Sequence, residues 1–252
     1  MSNLLKILFV LGLATLCLSN VHLNVKYRQF LNGAGEFDQT IAKEIYSQFK
    51  SVHSERSEYR FKVFVDTLKE IRAHNAGKHT WTQGINEYSD MTFEEFSSDK
   101  LMTPQNCSAT NSFKKIPSKS AIPVTYDWTT TGMVSPVKSQ GSCGSCWTFS
   151  TVGALESHWN ILGKGRNTTF AEQQLVDCAG AFENHGCEGG LPSHAFEYIR
   201  YAGGIESSLT YPYTAKDGQC AFRKNIAVGY VRFGSYNITQ GDEVELAQKL
   251  YE

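Results

Sequence analysis

The segment QGSCGSCWTFS, residues 140–150, constrains the fold more than any other stretch of the sequence, because it places two cysteines three positions apart just before a helical pattern. Apolar residues after Cys146 recur at intervals of three and four, and glycines at 163 and 165 end the pattern. This spacing predicts an amphipathic helix that begins next to Cys146. The apolar positions are Phe149, Val152, Leu155, Trp159 and Leu162.

A C-x-x-C pair can be a redox dithiol, half of a zinc site, or a structural cysteine beside a nucleophile. A zinc site needs a second close pair of ligands, whereas Cys178, Cys187 and Cys220 are widely spaced. A thioredoxin-like dithiol lies in a compact βαβ unit, but here a long region precedes the pair and three more cysteines follow it. The pattern favours the third kind of site, and we predict no metal and no cofactor.

In the favoured interpretation, Cys143 pairs with a distant cysteine and Cys146 stays free in the first turn of the helix. The helix dipole and the unpaired backbone N–H groups there favour a thiolate. A thiolate is the form of cysteine that attacks a carbonyl group. Cys146 is therefore a candidate nucleophile, and Trp147 beside it is a candidate shield against water.

The first 19 residues are predicted to be a secretory signal peptide, since Lys6 precedes an apolar run over residues 7–16. We therefore expect a lysosomal or extracellular protein of the secretory pathway with no stable membrane anchor, whose disulfides persist. Its candidate glycosylation sites are Asn106, Asn167 and Asn237. The near balance of 24 basic and 25 acidic residues argues against a nucleic-acid partner.

Several further elements are predicted from local patterns. Residues 38–77 are amphipathic with helical spacing, and residues 97–120 are polar and predict an exposed linker. The spacing of Thr169 and Glu172 predicts a capping box at the start of a short helix. Two more helices are predicted from about Pro192 to Tyr201 and over EVELAQKLYE, residues 243–252.

The motif CGSCW, residues 143–147, resembles the signature around the nucleophile of papain-like cysteine peptidases. The resemblance implies an α+β fold, in which a mostly helical inhibitory propeptide (20–100) precedes a helical left domain. The left domain would be the N-terminal part of a peptidase domain (122–252), with the β-barrel-like right domain largely absent. Cys146 would be the nucleophile, and Gln140 would stabilise the oxyanion together with the Cys146 N–H.

The resemblance extends to other parts of the chain. It implies disulfides Cys143–Cys187 and Cys178–Cys220, substrate pairing with Gly189 and Gly190, and a substrate pocket lined by Pro192. Glu188 stands where the family usually has Asn, which changes the local charge. Arg60, Phe64, Ile71 and Asn75 match the family's helical propeptide motif, and residues 84–90 match a second one.

The linker (101–121) contains PQNCSAT, which resembles a mini-chain that some family members retain from the propeptide (103–110). In those enzymes the mini-chain carboxylate meets the α-amino group of the substrate, so Thr110 would present that carboxylate after processing. The resemblance further implies peptide or protein substrates, cystatin-type inhibitors as partners, and a monomer.

The catalytic His and Asn of the family are expected roughly 130–150 residues after the nucleophile, beyond Glu252. We therefore expect a chain truncated before these residues and inactive as given, with Cys107 lacking its disulfide partner. A second hypothesis, of another class, is a peptidase inhibitor or binding protein that acts through propeptide-like residues 38–96. A redox protein using Cys143 and Cys146 is the third.

Overall fold

The structure is a computed structural model that describes residues 25–33, 35–50, 57–105, 121–165, 168–235 and 238–251. The predicted signal peptide, Cys107, Thr110 and the three predicted glycosylation sites lie outside the described residues. The chain divides into two compact units, Met1–Phe96 and Ser97–Glu252, which we call the N-terminal unit and the C-terminal unit.

The N-terminal unit is built from helices. Helix α1 covers residues 25–31, α2 Gln39–Lys50, α3 Glu58–Asn75 and α4 Phe93–Lys100, and the unit boundary falls inside α4. The predicted helical stretch 38–77 thus contains α2 and α3. Helix α3 begins at Ser57, whose hydroxyl oxygen accepts a hydrogen bond from Arg60 N at 3.1 Å.

The core of the N-terminal unit is aromatic and aliphatic. Phe64 and Leu68 on α3 are fully buried, and the Phe64 ring lies 5.0 Å from the rings of Tyr46 and Phe49. Such tilted pairs add to the stabilisation that burial of apolar area provides. Two residues of the predicted propeptide motif, Phe64 and Ile71, are therefore core residues of this unit.

Two polar side chains near the end of α3 hold neighbouring loops of the N-terminal unit. The buried Arg72 guanidinium donates to the carbonyls of Phe30 and Gly35 and lies over the Phe30 ring. Asn75 donates to Leu31 O and Gln83 O and accepts from Gln83 N, at 2.7–2.9 Å. These contacts join segments that are far apart in sequence.

The C-terminal unit contains helices α5 (Cys146–Ile161), α6 (Glu172–Cys178), α7 (Pro192–Ala202) and α8 (Glu243–Tyr251). Short 3₁₀ helices cover Trp128–Thr131, Ala179–Phe182, Gly186–Glu188 and Lys224–Ile226. In the described residues the only β pairing is two isolated bridges, Phe170 with Ser207 and Ile205 with Gly229. The helices predicted after Cys146, from Pro192 and over residues 243–252 are confirmed.

The predicted capping box of α6 is wrong. The helix begins at Glu172 with Ala171 as its N-cap, and no side chain caps it. Thr169 Oγ1 instead bonds Ser208 Oγ at 2.6 Å, next to the bridge between Phe170 and Ser207. The Glu172 carboxylate accepts from Lys138 Nζ. Tertiary partners thus take both side chains that the local pattern assigned to the cap.

The C-terminal unit buries a charged network beside its apolar core, which includes Phe170, Leu175 and Ile199. Lys138 Nζ lies 2.7 Å from carboxylate oxygens of both Glu156 and Glu172, whose side chains are almost fully buried. Burial alone would lower the pKa of Lys138, but the two carboxylates raise it above its usual value. The network links the segment before Cys146 to α5 and α6.

Among the described helices, none combines the length and the apolar character that crossing a membrane requires.

Candidate active site

Cys146 is the first residue of α5, and its thiol is exposed and free of any disulfide. The preceding Ser145 makes no side-chain cap to the helix; its hydroxyl bonds the Tyr213 hydroxyl at 2.6 Å. The thiol therefore lies at the positive end of the helix dipole.

Both predicted disulfides are present. Cys143–Cys187 ties the segment before Cys146 to the loop at 183–191, and Cys178–Cys220 ties the end of α6 to a later loop. The division of roles predicted for the C-x-x-C pair is thus confirmed on its structural side: Cys143 is cross-linked, while Cys146 is free.

The side-chain amide of Gln140 bonds the carbonyl of Cys143, three residues before the nucleophile candidate. Its Nε2 donates to Cys143 O at 2.7 Å and to Lys100 O at 2.8 Å. The Tyr213 hydroxyl donates to Gln140 O at 2.7 Å, so one phenol braces both Gln140 and Ser145. Burial raises the pKa of Tyr213, although its hydrogen bond with Ser145 acts in the opposite direction.

Sequence reasoning missed Tyr213. It lies in TYPYTAKDGQC, residues 210–220, and its only sequence signal is an aromatic residue in a loop. Its position depends on contacts with residues roughly 70 positions earlier, at Gln140 and Ser145.

Residues Lys100–Gln105, which we call the cleft segment, lie against this site. Met102 Sδ lies 3.9 Å from Cys146 Sγ, and Thr103 N donates to Glu188 O at 3.0 Å. The cleft segment packs closely against Gly144 and Gly189, where a side chain would collide with Met102. A Cβ at Gly144 would lie 3.0 Å from Met102 Cα, and one at Gly189, whose φ is +127°, would lie 2.9 Å from Met102 Cβ.

The cleft segment is anchored at its first residue. Lys100 Nζ donates to Gly141 O at 2.9 Å and Ser142 Oγ at 3.3 Å, and pairs with Asp99 at 2.8 Å. The hydrogen bond from Lys100 is the main reason that the pKa of Asp99 lies below its usual value. The prediction of an exposed linker from residue 97 holds only in part for residues 97–105. Residues 98, 101, 103 and 104 are exposed, but residues 97–100 belong to α4, and Lys100, Met102 and Thr103 have partners distant in sequence.

The other predicted site residues occupy different positions around the cleft. Gly189 lies beside Met102, but its carbonyl accepts from His185 N; the carbonyl that pairs with the cleft segment belongs to Glu188. Pro192 is the first residue of α7. Trp147 is 2% exposed and lies in the core, where its Nε1 donates to Gly186 O. Gly190 packs between Trp147 and Asn184.

The described histidines do not provide a base at Cys146. In the residues for which the structure gives positions, no histidine nitrogen makes a hydrogen bond to the Cys146 thiol, which lies 3.9 Å from Met102 Sδ. His158 lies on the exposed side of α5. His194 is buried on α7, with Nε2 3.9 Å from Glu183. The site therefore combines an exposed free thiol with a nearby loop held by the Gln140 amide, and no described histidine is hydrogen-bonded to that thiol.

Comparison with known proteins agrees with this arrangement. Residues 122–252 match the model for the papain family cysteine protease, and residues 46–96 match the cathepsin propeptide inhibitor domain (I29). The chain belongs to the papain family of cysteine proteases. The family assignment places Cys146 and Gln140 in the protease domain and most of α2–α4 in the propeptide inhibitor domain.

Two relatives extend the similarity. The chain is 52% identical over 194 residues to Cysteine proteinase 3 of Solanum lycopersicum, covering 76% of this chain and 53% of the relative. It is 49% identical over 201 residues to Pro-cathepsin H of Bos taurus, covering 79% and 59%. The chain thus spans somewhat more than half the length of these papain-family relatives.

Solved structures show the same fold in a precursor form. Digestive procathepsin L 3 of Tenebrio molitor larval midgut matches with a TM-score of 0.73 at 34% identity, covering 84% of this chain and 71% of that one. The Amb a 11 cysteine protease of ragweed pollen, in its proform, also matches with a TM-score of 0.73, at 32% identity, covering 84% and 66%. The predicted papain-like fold with a helical left domain and an inhibitory propeptide is confirmed.

Proposed function

We propose that this chain is the precursor form of a cysteine peptidase that hydrolyses peptide bonds in peptide or protein substrates, with Cys146 as the nucleophile. The observation that carries the proposal is the exposed, free Cys146 thiol at the start of α5, preceded by a loop in which the Gln140 amide bonds Cys143 O. A disulfide on the neighbouring Cys143 holds the two together in a fixed loop.

In the proposed reaction, the Cys146 thiolate attacks the carbonyl carbon of the scissile bond and forms a thioester as the amine leaves. The carbonyl oxygen becomes an oxyanion, which the Gln140 amide and the Cys146 N–H stabilise. Water then hydrolyses the thioester. The reaction also needs a group that accepts the thiol proton, and we assign none of the described histidines to that role.

We further propose that the cleft segment keeps the site inactive. Lys100 O accepts the same Gln140 N–H that would stabilise an oxyanion, and Met102 lies against the Cys146 thiol. Thr103 pairs with Glu188 O as an extended peptide would. The segment thus competes with a substrate for the donor, the nucleophile and the backbone edge.

The residues after Met102 support a second element of the proposal. Thr103–Thr110 resembles the mini-chain of cathepsin H, and Gln105, part of this stretch, lies beside Gly189. If Thr110 presents its carboxylate to the α-amino group of a substrate, the enzyme would remove residues one at a time from N-termini. Thr110 and Cys107 lie outside the described residues.

We also propose a secretory-pathway route to a lysosomal or extracellular location, since the named relatives include a pro-cathepsin. A signal peptide over residues 1–19 and the domain bounds 20–100, 101–121 and 122–252 belong to the same proposal. Cystatin-type inhibitors are the expected protein partners, and a monomer is the expected state.

Labelling of the whole chain with an epoxysuccinyl or iodoacetamide probe at acidic pH tests the nucleophile. We expect labelling of Cys146 and none of Cys143, with Cys107 followed separately by mass spectrometry of peptides, and faster labelling of Cys146 when Lys100→Met weakens the anchor of the cleft segment. Lys69→Met, which removes an exposed ion pair with Asp66, is the matched control. Labelled Cys143 with unlabelled Cys146 would refute the proposed division of roles.

The inhibitor hypothesis keeps one supporting observation, because the N-terminal unit has its own aromatic core. Two results would favour the inhibitor hypothesis over the peptidase proposal. They are nanomolar inhibition of a related peptidase by residues 21–120 and no peptide hydrolysis by the whole chain.

A further inference from the structure

Four hydrogen bonds form a closed ring in the loop before Cys146. The Tyr213 hydroxyl bonds Gln140 O at 2.7 Å and Ser145 Oγ at 2.6 Å. On the other side of the ring, Cys143 O accepts from Gln140 Nε2 at 2.7 Å and from Ser145 N at 2.8 Å. The ring therefore joins the backbone and the side-chain amide of Gln140 to Ser145, the residue that precedes the nucleophile candidate.

The direction of the two phenol bonds follows from their chemistry. A carbonyl oxygen can only accept, so the single hydroxyl proton of Tyr213 is donated to Gln140 O, and the Ser145 hydroxyl donates to the phenol oxygen. Burial raises the pKa of Tyr213, which keeps the phenol protonated at neutral and acidic pH. The phenol can therefore hold the Gln140 backbone throughout that range.

Packing restrains the phenol in this position. The Tyr213 ring makes a T-shaped contact with Phe149 on α5, with 5.0 Å between the ring centroids. Ser145 is fully buried, so its hydroxyl has no access to solvent in place of the phenol. Removal of the Tyr213 hydroxyl would leave the Gln140 carbonyl and the Ser145 hydroxyl without this partner, which favours a shift of the loop.

The bond with Ser145 also affects the start of α5. A serine that precedes the first helical residue commonly accepts from the second or third N–H of the helix. Ser145 makes no such side-chain cap, and its hydroxyl bonds Tyr213 instead. The Ser145 side chain therefore does not compete for the N–H groups at the start of α5, among which is the Cys146 N–H.

We propose that Tyr213 is a positioning residue for oxyanion stabilisation at Cys146. Its bond to Gln140 O fixes the residue whose amide would stabilise the oxyanion, and its bond with Ser145 keeps that hydroxyl from the start of α5. The inference deepens the proposed function and rests on it, since it takes Cys146 as the nucleophile and Gln140 as an oxyanion donor.

Two small reagents test this role in the full chain. p-Nitrophenyl acetate acylates a thiolate through a tetrahedral oxyanion: a thioester C–S bond forms, the ester C–O bond breaks and p-nitrophenolate leaves. Iodoacetamide alkylates the same thiolate by displacement of iodide, without charge on a carbonyl oxygen. The ratio of the two rates at Cys146, with each product located by mass spectrometry of peptides, therefore reports oxyanion stabilisation separately from access to the thiol.

Every variant in this experiment also carries Lys100→Met. The carbonyl of residue 100 accepts from the Gln140 amide, and the Lys100 side chain anchors the cleft segment at Gly141 and Ser142. A less firmly held segment gives the acetyl carbonyl oxygen access to that amide.

We expect Tyr213→Phe to lower the ratio of acylation to alkylation by about tenfold, because misplacement of a reacting group by about 1 Å can cost about 100-fold. The phenylalanine ring keeps the contact with Phe149. Tyr211→Phe is the matched control, since it removes a nearby phenol that donates to Asp177 at 2.8 Å and lies outside the ring of hydrogen bonds. An unchanged ratio in Tyr213→Phe, or an equal fall in Tyr211→Phe, would overturn the inference.

A second variant tests the same ring if Tyr213→Phe does not fold. Ser145→Ala removes the hydroxyl that aligns the phenol but keeps the bond from Tyr213 to Gln140 O. It should lower the ratio by a smaller factor, about twofold. In that case an unchanged ratio in Ser145→Ala would overturn the inference.

A double variant shows whether Tyr213 acts through Gln140. Gln140→Ala should lower the ratio at least as much as Tyr213→Phe, and addition of Tyr213→Phe to it should cause no further loss. A further tenfold loss would overturn the inference, because Tyr213 would then act on another group. If Gln140→Ala leaves the ratio unchanged, the assignment of Gln140 in the proposed function fails. If neither reagent modifies Cys146, the proposed function itself fails.

Discussion

The N-terminal unit and the C-terminal unit are each stabilised by different kinds of interaction. Residues 25–96 contain no cysteine, and the N-terminal unit depends on an aromatic core and on polar ties such as Asn75. The C-terminal unit has two disulfides that close loops with sequence separations of 44 and 42. The unfolded N-terminal unit is a chain without cross-links, whereas the unfolded C-terminal unit keeps two disulfides that restrict its conformations.

One cation in each unit shows the same contrast: Arg72 is buried, whereas Lys138 is partly exposed. In the N-terminal unit, Arg72 is surrounded by backbone carbonyls and the Phe30 ring. In the C-terminal unit, Lys138 joins two buried carboxylates. The carbonyl partners come from the end of α1 and the segment after it, while the carboxylates belong to helices α5 and α6.

Reduction of the disulfides should have the largest effect on this contrast. A bridge that closes a loop of about 44 residues stabilises a protein by about 4 kcal/mol in the chain-entropy model. Dithiothreitol should therefore destabilise the C-terminal unit by about that amount per bridge and leave the N-terminal unit unchanged. Hydrogen exchange of peptides from each unit measures both effects. A comparable loss in the N-terminal unit would contradict the contrast.

A core truncation should destabilise the N-terminal unit and leave the C-terminal unit unchanged. Phe64→Ala removes a fully buried ring from the N-terminal unit, and such changes cost about 3–5 kcal/mol. We expect unfolding of the N-terminal unit at lower urea concentration, with exchange in the C-terminal unit unchanged. Tyr59→Ala, also on α3 but at a position 54% exposed, is the control and should have little effect. Equal effects of the two changes would show that the aromatic core does not hold this unit.

Loss of a polar tie should be smaller. Asn75→Ala removes three hydrogen bonds to Leu31 and Gln83 and should lower the free energy of unfolding of the N-terminal unit by about 2 kcal/mol. Asn75→Asp keeps the acceptor for Gln83 N but loses both donors, so it should be no more stable than the alanine variant. Recovery of stability in the aspartate variant, measured by urea unfolding, would show that the donated bonds contribute little.

Local patterns predicted the helices well, since α5 and α7 depend on apolar spacing and on terminating glycines close in sequence. They failed at α6, where Thr169 and Glu172 found distant partners. The nucleophile, Gln140 and both disulfides followed from a family motif. The cleft segment could not be predicted, because residues 97–105 have no periodicity and their structure depends on Gln140, Gly141 and Glu188.

The smallest predicted effect concerns acid release of the cleft segment. Because the hydrogen bond from Lys100 lowers the pKa of Asp99 below 3.8, its contribution is present above that pH and is lost as the pH falls through the lower, folded-state value. Asp99 is partly exposed, so we expect only about 0.5 kcal/mol after solvent screening. Protection of the Thr103 amide from hydrogen exchange should stay constant from pH 7 to 5 and fall by about twofold below about pH 4.

The variant Asp99→Asn distinguishes protonation of Asp99 from protonation of every other group. It cannot ionise, so Thr103 protection should already be reduced at neutral pH and should lack the step below about pH 4. Asp66→Asn, which removes an exposed partner of Lys69 on α3, should keep the step. A loss of protection between pH 6 and 5 that persists in Asp99→Asn would mean that another group controls the cleft segment. Mild acid would then act on the cleft segment through a group other than Asp99. Residues 97–105 would respond to mild acid although they belong to the disulfide-linked C-terminal unit.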